Sequence, residues 1–165
     1  PPMLNQLMLR DQLDAVVNFW HYAAELKTYN KRSLLTMDEV LGSWQISADV
    51  PVIGWLFKQS WAADNQALVD QFFAMSFATR AKMNEDDNLW QSIPSFTQKY
   101  SDDARPVLIA HYRAGIPTRF DASIKADLQK LFKVLKANEG TTGVTGALQS
   151  LPDSLFWQSP ALAGQ

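Results

Sequence analysis

Four side chains that could hold a ligand lie almost together near the start of the chain: Asn18, Trp20, His21 and Tyr22. The aromatic rings offer faces for stacking, and the amide and imidazole groups can hydrogen-bond to a ligand. They end a run of β-forming residues at 15–19, which indicates a buried strand, and a helical pattern follows at once. Ligands of open α/β sheets collect beyond the carboxyl ends of such strands. We therefore predict a ligand-binding site here, with packing of Trp20 and Tyr22 in the core as the alternative.

The remaining residues offer little catalytic or metal-binding chemistry. His111 lies in a predicted helix, and neither histidine has a second His or a carboxylate at metal-ligand spacing. The acidic pairs at 86–87 and 102–103 precede helical patterns, which favours helix capping over acid–base catalysis. The sequence has no cysteine, and it has no strand–GxSxG–helix elbow that would present a serine nucleophile. From local motifs we expect no enzymatic activity, no metal and no cofactor.

Composition narrows the classes of partner. The 165 residues suit one domain of ordinary size, and 15 basic against 17 acidic residues give a net charge of −2. There is no basic stripe, so we expect no nucleic-acid partner. No apolar run has the length of a membrane helix. The absence of cysteine is compatible with an oxidising compartment.

The hydrophobic patterns predict a helix-rich α/β fold with a few short strands, near residues 14–19, 33–36 and 52–57. Thr36 and Glu39 have the spacing of a capping box, and Asp103 and Asp121 are placed to cap two further helices. The longest predicted helix covers about residues 62–83. Its apolar residues surround about half of its circumference, so we expect it to be the most buried of the long helices.

Two stretches carry a resemblance to a known family. Asp14-Ala-Val-Val-Asn-Phe-Trp-His-Tyr-Ala23 resembles the segment in which the substrate-binding proteins of taurine, sulfonate, nitrate and thiamine-precursor ABC importers return from their second lobe. Val52-Ile-Gly-Trp-Leu-Phe57, followed by Trp61-Ala-Ala-Asp-Asn65, resembles the strand and helix that re-enter their first lobe. Similar residues recur through the helical half, at Asn88-Leu-Trp90, Tyr112-Arg-Ala-Gly-Ile-Pro117, Leu131-Phe132 and Phe156-Trp157.

This resemblance, to a type II periplasmic-binding protein, implies a bilobal α/β fold. Residues 1–30 would form the end of the second lobe and the hinge return, and residues 31–165 the C-terminal part of the first lobe with a helical tail. Family members begin with a first-lobe βα region that this sequence does not contain. The resemblance therefore implies that the chain is incomplete as a functional unit and that the N-terminal remainder of the same protein is one of its partners.

The implied function is that of a periplasmic solute-binding component of an ABC importer. Such a component captures a small molecule or anion in a cleft between its lobes by hinge closure, and it delivers the solute to an ABC permease in the membrane. Asn18, Trp20, His21 and Tyr22 are then the expected ligand contacts.

Two other functions stay open. A branch of the same superfamily makes a thiamine pyrimidine, using a histidine and a lysine, and His21 is the candidate histidine for such an enzyme here. Alternatively, the chain is a helical interaction domain that binds a protein through exposed aromatic side chains.

Overall fold

The structure is a computed structural model that describes residues 2–117, 119–140 and 143–157. All of the α-helix or strand structure in these ranges is helical, in nine α-helices, and Asp153–Leu155 forms a short 3₁₀ helix. The α-helices are α1 (Pro2–Leu9), α2 (Trp20–Thr28), α3 (Met37–Ser43), α4 (Gln59–Asp64), α5 (Gln66–Glu85), α6 (Asp87–Gln91), α7 (Pro94–Thr97), α8 (Ala104–Ala114) and α9 (Ala122–Asn138). The part of the predicted helical tail beyond residue 157 lies outside these ranges.

The predicted α/β fold is wrong, because no strand forms in the described ranges. The segments at 14–19, 33–36 and 52–57 do lie between helices, as the patterns indicated. However, the backbone hydrogen bonds that they make run only to the helix that follows: the Phe19 carbonyl oxygen accepts from the N–H groups of Tyr22 and Ala23, and that of Thr36 accepts from Val40. In the described ranges no backbone hydrogen bond joins two of these segments. A strand is defined by its ladder of bonds to a neighbour, so β-forming side chains without such a neighbour leave the backbone irregular.

The predicted helix starts agree with the structure better than the predicted strands do. The capping box at α3 is confirmed: Thr36 Oγ1 accepts from the Glu39 backbone N–H at 3.3 Å, and the Thr36 N–H donates to Glu39 Oε2 at 2.7 Å. Asp121 caps α9, and bonds from the Ser123 hydroxyl and from the backbone N–H groups of Ile124 and Ser123 hold its pKa at about 2. Asp103 occupies the N-cap of α8, but its side chain makes no capping bond.

The chain divides into two compact units, each with a small core of its own. Unit 1 contains residues 2–35 and Ala78–Ile116, and α2 packs on α8 within it. Unit 2 contains Thr36–Phe77 and the described residues from 117 onward. The core of unit 1 includes Ala24, Ala104 and Leu108, and that of unit 2 includes Leu41, Ile46 and Val50 with Leu128 and Leu131 packed against them. The assignment of residues 1–30 and 31–165 to two lobes stays a prediction.

The expectation that the longest helix is the most buried one is also wrong. Only Val69 is buried along α5, and Phe72 is 44% exposed, whereas α9 buries both Ile124 and Phe132. The rings of α5 contact each other and the segment before α4, with 5.0 Å between the ring centroids of Trp55 and Phe72. A wide apolar stripe predicts burial only where other elements cover it, and here the covering is incomplete.

Truncation of two phenylalanines should therefore have unequal effects. We expect Phe132→Ala to lower the free energy of unfolding by about 3–5 kcal/mol, because it opens a cavity in a packed site. Phe72→Ala should cost less than half of that, because its ring already contacts solvent. Urea denaturation of both variants measures the difference, and an equal or larger loss for Phe72→Ala would contradict the burial described here.

Candidate functional site

The predicted ligand-binding residues meet at the start of α2, not at the end of a strand. Trp20, His21 and Tyr22 form the first turn of the helix. The Trp20 and His21 rings meet edge to face with centroids 5.4 Å apart, and the centroids of His21 and Tyr22 are 4.2 Å apart. Trp20 is 48% exposed, while His21 and Tyr22 are half-buried. The three rings thus form one partly exposed aromatic cluster, called the α2 cluster below.

Asn18 has a structural role in this arrangement. Its Nδ2 donates to Asn5 Oδ1 at 2.7 Å, and its Oδ1 accepts from the backbone N–H of Phe19 at 3.1 Å. Asn5 is buried and in turn donates from Nδ2 to the Tyr22 carbonyl oxygen and to Glu25 Oε2, both at 3.1 Å. These bonds hold α1, the entry to α2 and the first turns of α2 together. Asn18 therefore positions the α2 cluster, and half of the hydrogen-bonding capacity of its side chain is already used.

Contacts to α8 and α6 fix the other side of the α2 cluster. The ring of Trp20 lies 6.4 Å from that of Tyr112, whose centroid is 4.9 Å from the buried Trp90. Trp90 is held by a 2.9 Å hydrogen bond from Nε1 to the carbonyl oxygen of Met83. Trp20 is therefore packed on one side and open to solvent on the other. Its position is intermediate between that of a core residue and that of a ligand contact, the two roles that the sequence left open.

Lys99 brings a positive charge to the α2 cluster. Its Nζ lies 4.8 Å from the ring centroid of Tyr100 and 5.9 Å from that of Tyr22. The pKa of Lys99 is raised above its usual value, mainly by a hydrogen bond to the side chain of Tyr100. The amine therefore stays protonated at neutral pH. The sequence does not point to this residue, because Lys99 is distant along the chain and has no motif around it. Only the packing of unit 1 brings it here.

Both histidines are neutral at physiological pH, for similar reasons. Partial burial lowers the pKa of His21 below its usual 6.5, and the charge of Lys99 lowers it further, against a smaller opposing effect of Glu25. Burial, and then the charge of Lys27, lower the pKa of His111. Nζ of Lys27 lies 3.1 Å from Nε2 of His111, a bond that the lysine can donate only while that nitrogen is unprotonated.

The α2 cluster and the neighbouring Lys99 together offer an exposed indole, a neutral imidazole and a lysine ammonium. These groups suit a small polar or anionic molecule: the indole can contact its flat or apolar part, and the lysine can balance a negative charge. In the described ranges no three His, Cys, Asp or Glu side chains are grouped so that they could hold a metal ion. The assignment of Asn18, Trp20, His21 and Tyr22 as ligand contacts stays a prediction.

Comparisons of the chain with protein-family models, with curated proteins and with solved structures found no match. Among the residues with a described position, no helix has the length and the apolar character needed to cross a membrane.

The lowered pKa values of the two histidines predict how stability depends on pH. Below pH 6.5 the unfolded chain binds more protons than the folded one, so the free energy of unfolding should fall as the pH is lowered through this range. The sequence has only these two histidines. The double variant His21→Gln/His111→Gln should therefore show a nearly flat profile between about pH 7 and 5.5. Urea melts across this range measure it, and a slope that persists in the double variant would refute the assignment.

Proposed function

We propose that the chain is a solute-binding component of an ABC importer, periplasmic in location, and that it captures a small molecule or anion at the α2 cluster. The observation that carries the proposal is the half-exposed Trp20 beside a neutral His21, with the protonated Lys99 near the Tyr22 ring of the same cluster. The resemblance of residues 14–23 to the segment in which such proteins return from their second lobe supports the same location. The proposed partners are the solute, an ABC permease in the membrane and the N-terminal remainder of the same protein.

Each group has a separate task in this proposal. Trp20 stacks on the solute with its exposed face, and His21 hydrogen-bonds to it as a neutral imidazole. Lys99 offsets negative charge on the solute, and Asn18 keeps the start of α2 in place through Asn5. Further contacts come from the N-terminal remainder, so binding by this surface alone should be weak.

The test is a comparison of two tryptophans in the full-length protein. Solutes are found by thermal shift with taurine, an alkanesulfonate, nitrate and a pyrimidine precursor of thiamine, and the affinity is then measured by calorimetry. Trp20→Ala should weaken binding at least tenfold, about 1.4 kcal/mol, and leave unfolding cooperative. Trp44→Ala is the control, because Trp44 is 43% exposed and belongs to unit 2.

Two outcomes would refute the assignment of this site. One is that Trp44→Ala weakens solute binding as much as Trp20→Ala does. The other is that Trp20→Ala costs several kcal/mol of stability and leaves the affinity of the folded protein unchanged, which would make Trp20 a core residue.

A second candidate function is protein binding through exposed apolar side chains. It is favoured by the non-helical segment before α4, where Ile53 is 87% and Leu56 is 89% exposed. Residues 52–57 of this segment take part in none of the backbone–backbone hydrogen bonds of the described ranges. Contiguous exposed apolar residues commonly mark contact surfaces or cause association.

If this segment binds protein, the simplest partner to test is a second copy of the chain. Sedimentation velocity should then show association that increases with protein concentration. The double variant Ile53→Lys/Leu56→Lys should remain monomeric, whereas the control Ala48→Lys/Ser60→Lys, which adds the same charge at exposed positions, should associate like the unmodified chain. A chain that is monomeric at all concentrations would exclude self-association through this segment.

A further inference from the structure

A concave surface lies within unit 1, between α6 and α8, and the proposed solute site does not use it. The cleft has a volume of about 410 Å³, within the range of small-molecule sites. Its lining residues on α8 follow one another at helical spacing, so they share one face. Arg105 and Arg113 stand at the two ends of this face, and the apolar side chains of Pro106, Ile109 and Ala110 lie between them.

The backbone of unit 1 fixes both guanidinium groups. Arg105 donates from Nε to the Tyr100 carbonyl oxygen at 2.9 Å and from Nη2 to the Thr97 carbonyl oxygen at 2.6 Å. Arg113 donates from Nε to the Met83 carbonyl oxygen at 3.2 Å. The two side chains are 20% and 27% exposed, respectively. Such anchored guanidinium groups keep their direction, so little conformational entropy is lost when they bind an anion.

The acidic partners of these arginines are held much less firmly. Asp102 Oδ1 accepts from Arg105 Nη1 at 2.6 Å and Asp87 Oδ1 accepts from Arg113 Nη2 at 2.7 Å, but the two carboxylates are 91% and 77% exposed. Exposed ion pairs contribute little stability and exchange readily with other anions. In the part of the chain that the structure describes, Nη1 of Arg113 has no hydrogen-bond partner.

We propose that this cleft binds an elongated organic anion, with its apolar chain along Pro106, Ile109 and Ala110 and a carboxylate at each arginine. The arginines are eight residues apart on α8, which corresponds to about 12 Å along the helix. A dicarboxylate with an extended hydrocarbon chain of similar length fits both ends at once. Its carboxylates displace those of Asp87 and Asp102, and the apolar floor excludes water from its chain.

The test uses decanedioate as the probe and decane-1,10-diol as its uncharged counterpart, with binding measured by calorimetry on the full chain. Decanedioate should bind and the diol should not. Asp87→Asn should strengthen binding several-fold, because it removes a competing carboxylate while leaving an amide of the same shape. Arg113→Gln should weaken binding about tenfold, the value of one charge-assisted contact. Lys133→Gln is the control for net charge, because Lys133 is exposed on α9 in unit 2, and it should bind like the unmodified chain.

Three results would overturn the proposal: no binding of decanedioate at millimolar concentration, equal binding of the diol, or no gain in Asp87→Asn. The Asp87→Asn result decides the matter if Arg113→Gln fails to fold. The α2 cluster is also proposed to bind anions, so the binding of decanedioate is assigned to this cleft by its response to Asp87→Asn, a residue that the proposed solute site does not use.

Discussion

The packing of α2 on α8 is the interaction on which the organisation of unit 1 depends. Two alanines, Ala24 on α2 and Ala104 on α8, are almost completely buried together with Leu108. Small residues at such a contact let two helices approach closely, and dispersion contacts then accumulate along the interface. The same contact places Tyr112 beside Trp20 and His111 beside Lys27. A change that separates these helices would therefore disturb the core and the candidate site together.

A buried amide complements this apolar contact on the other side of α2. Asn5 satisfies the Tyr22 carbonyl oxygen, the Glu25 carboxylate and the Asn18 amide at the same time. Loss of one partner from such a network leaves buried polar groups unpaired, at a cost of about 1–3 kcal/mol for each group. The network therefore favours one orientation of the α2 entry, and it explains why a polar residue at position 18 interrupts an otherwise apolar run. The sequence predicted a ligand as the hydrogen-bond partner of Asn18, and it did not identify Asn5.

The sequence predicts correctly those features that depend on interactions between residues close together along the chain, and it fails for features that depend on distant residues. Helix caps such as those at Thr36 and Asp121 involve residues two to three positions apart, and they were predicted correctly. Strands at 14–19 and 52–57 require a paired segment elsewhere in the chain, and β-forming side chains cannot supply one. The proximity of Lys99 to His21 and the exposure of Phe72 likewise depend on tertiary packing that a periodic pattern does not encode. The aromatic residues of the candidate site were found because three of them are consecutive.

The all-helical fold requires that residues 14–19 and 52–57, where strands were predicted, do not pair with other segments. Hydrogen–deuterium exchange of the isolated chain tests it most directly, since amide protection reports backbone hydrogen bonds residue by residue. The amides of residues 14–18 and 52–57 should exchange close to the rate of an unstructured peptide, while those in the middle of α8 and α9 stay protected. Protection at 14–18 and 52–57 equal to that of α9 would show that these segments are paired, and it would contradict the all-helical account of the described chain.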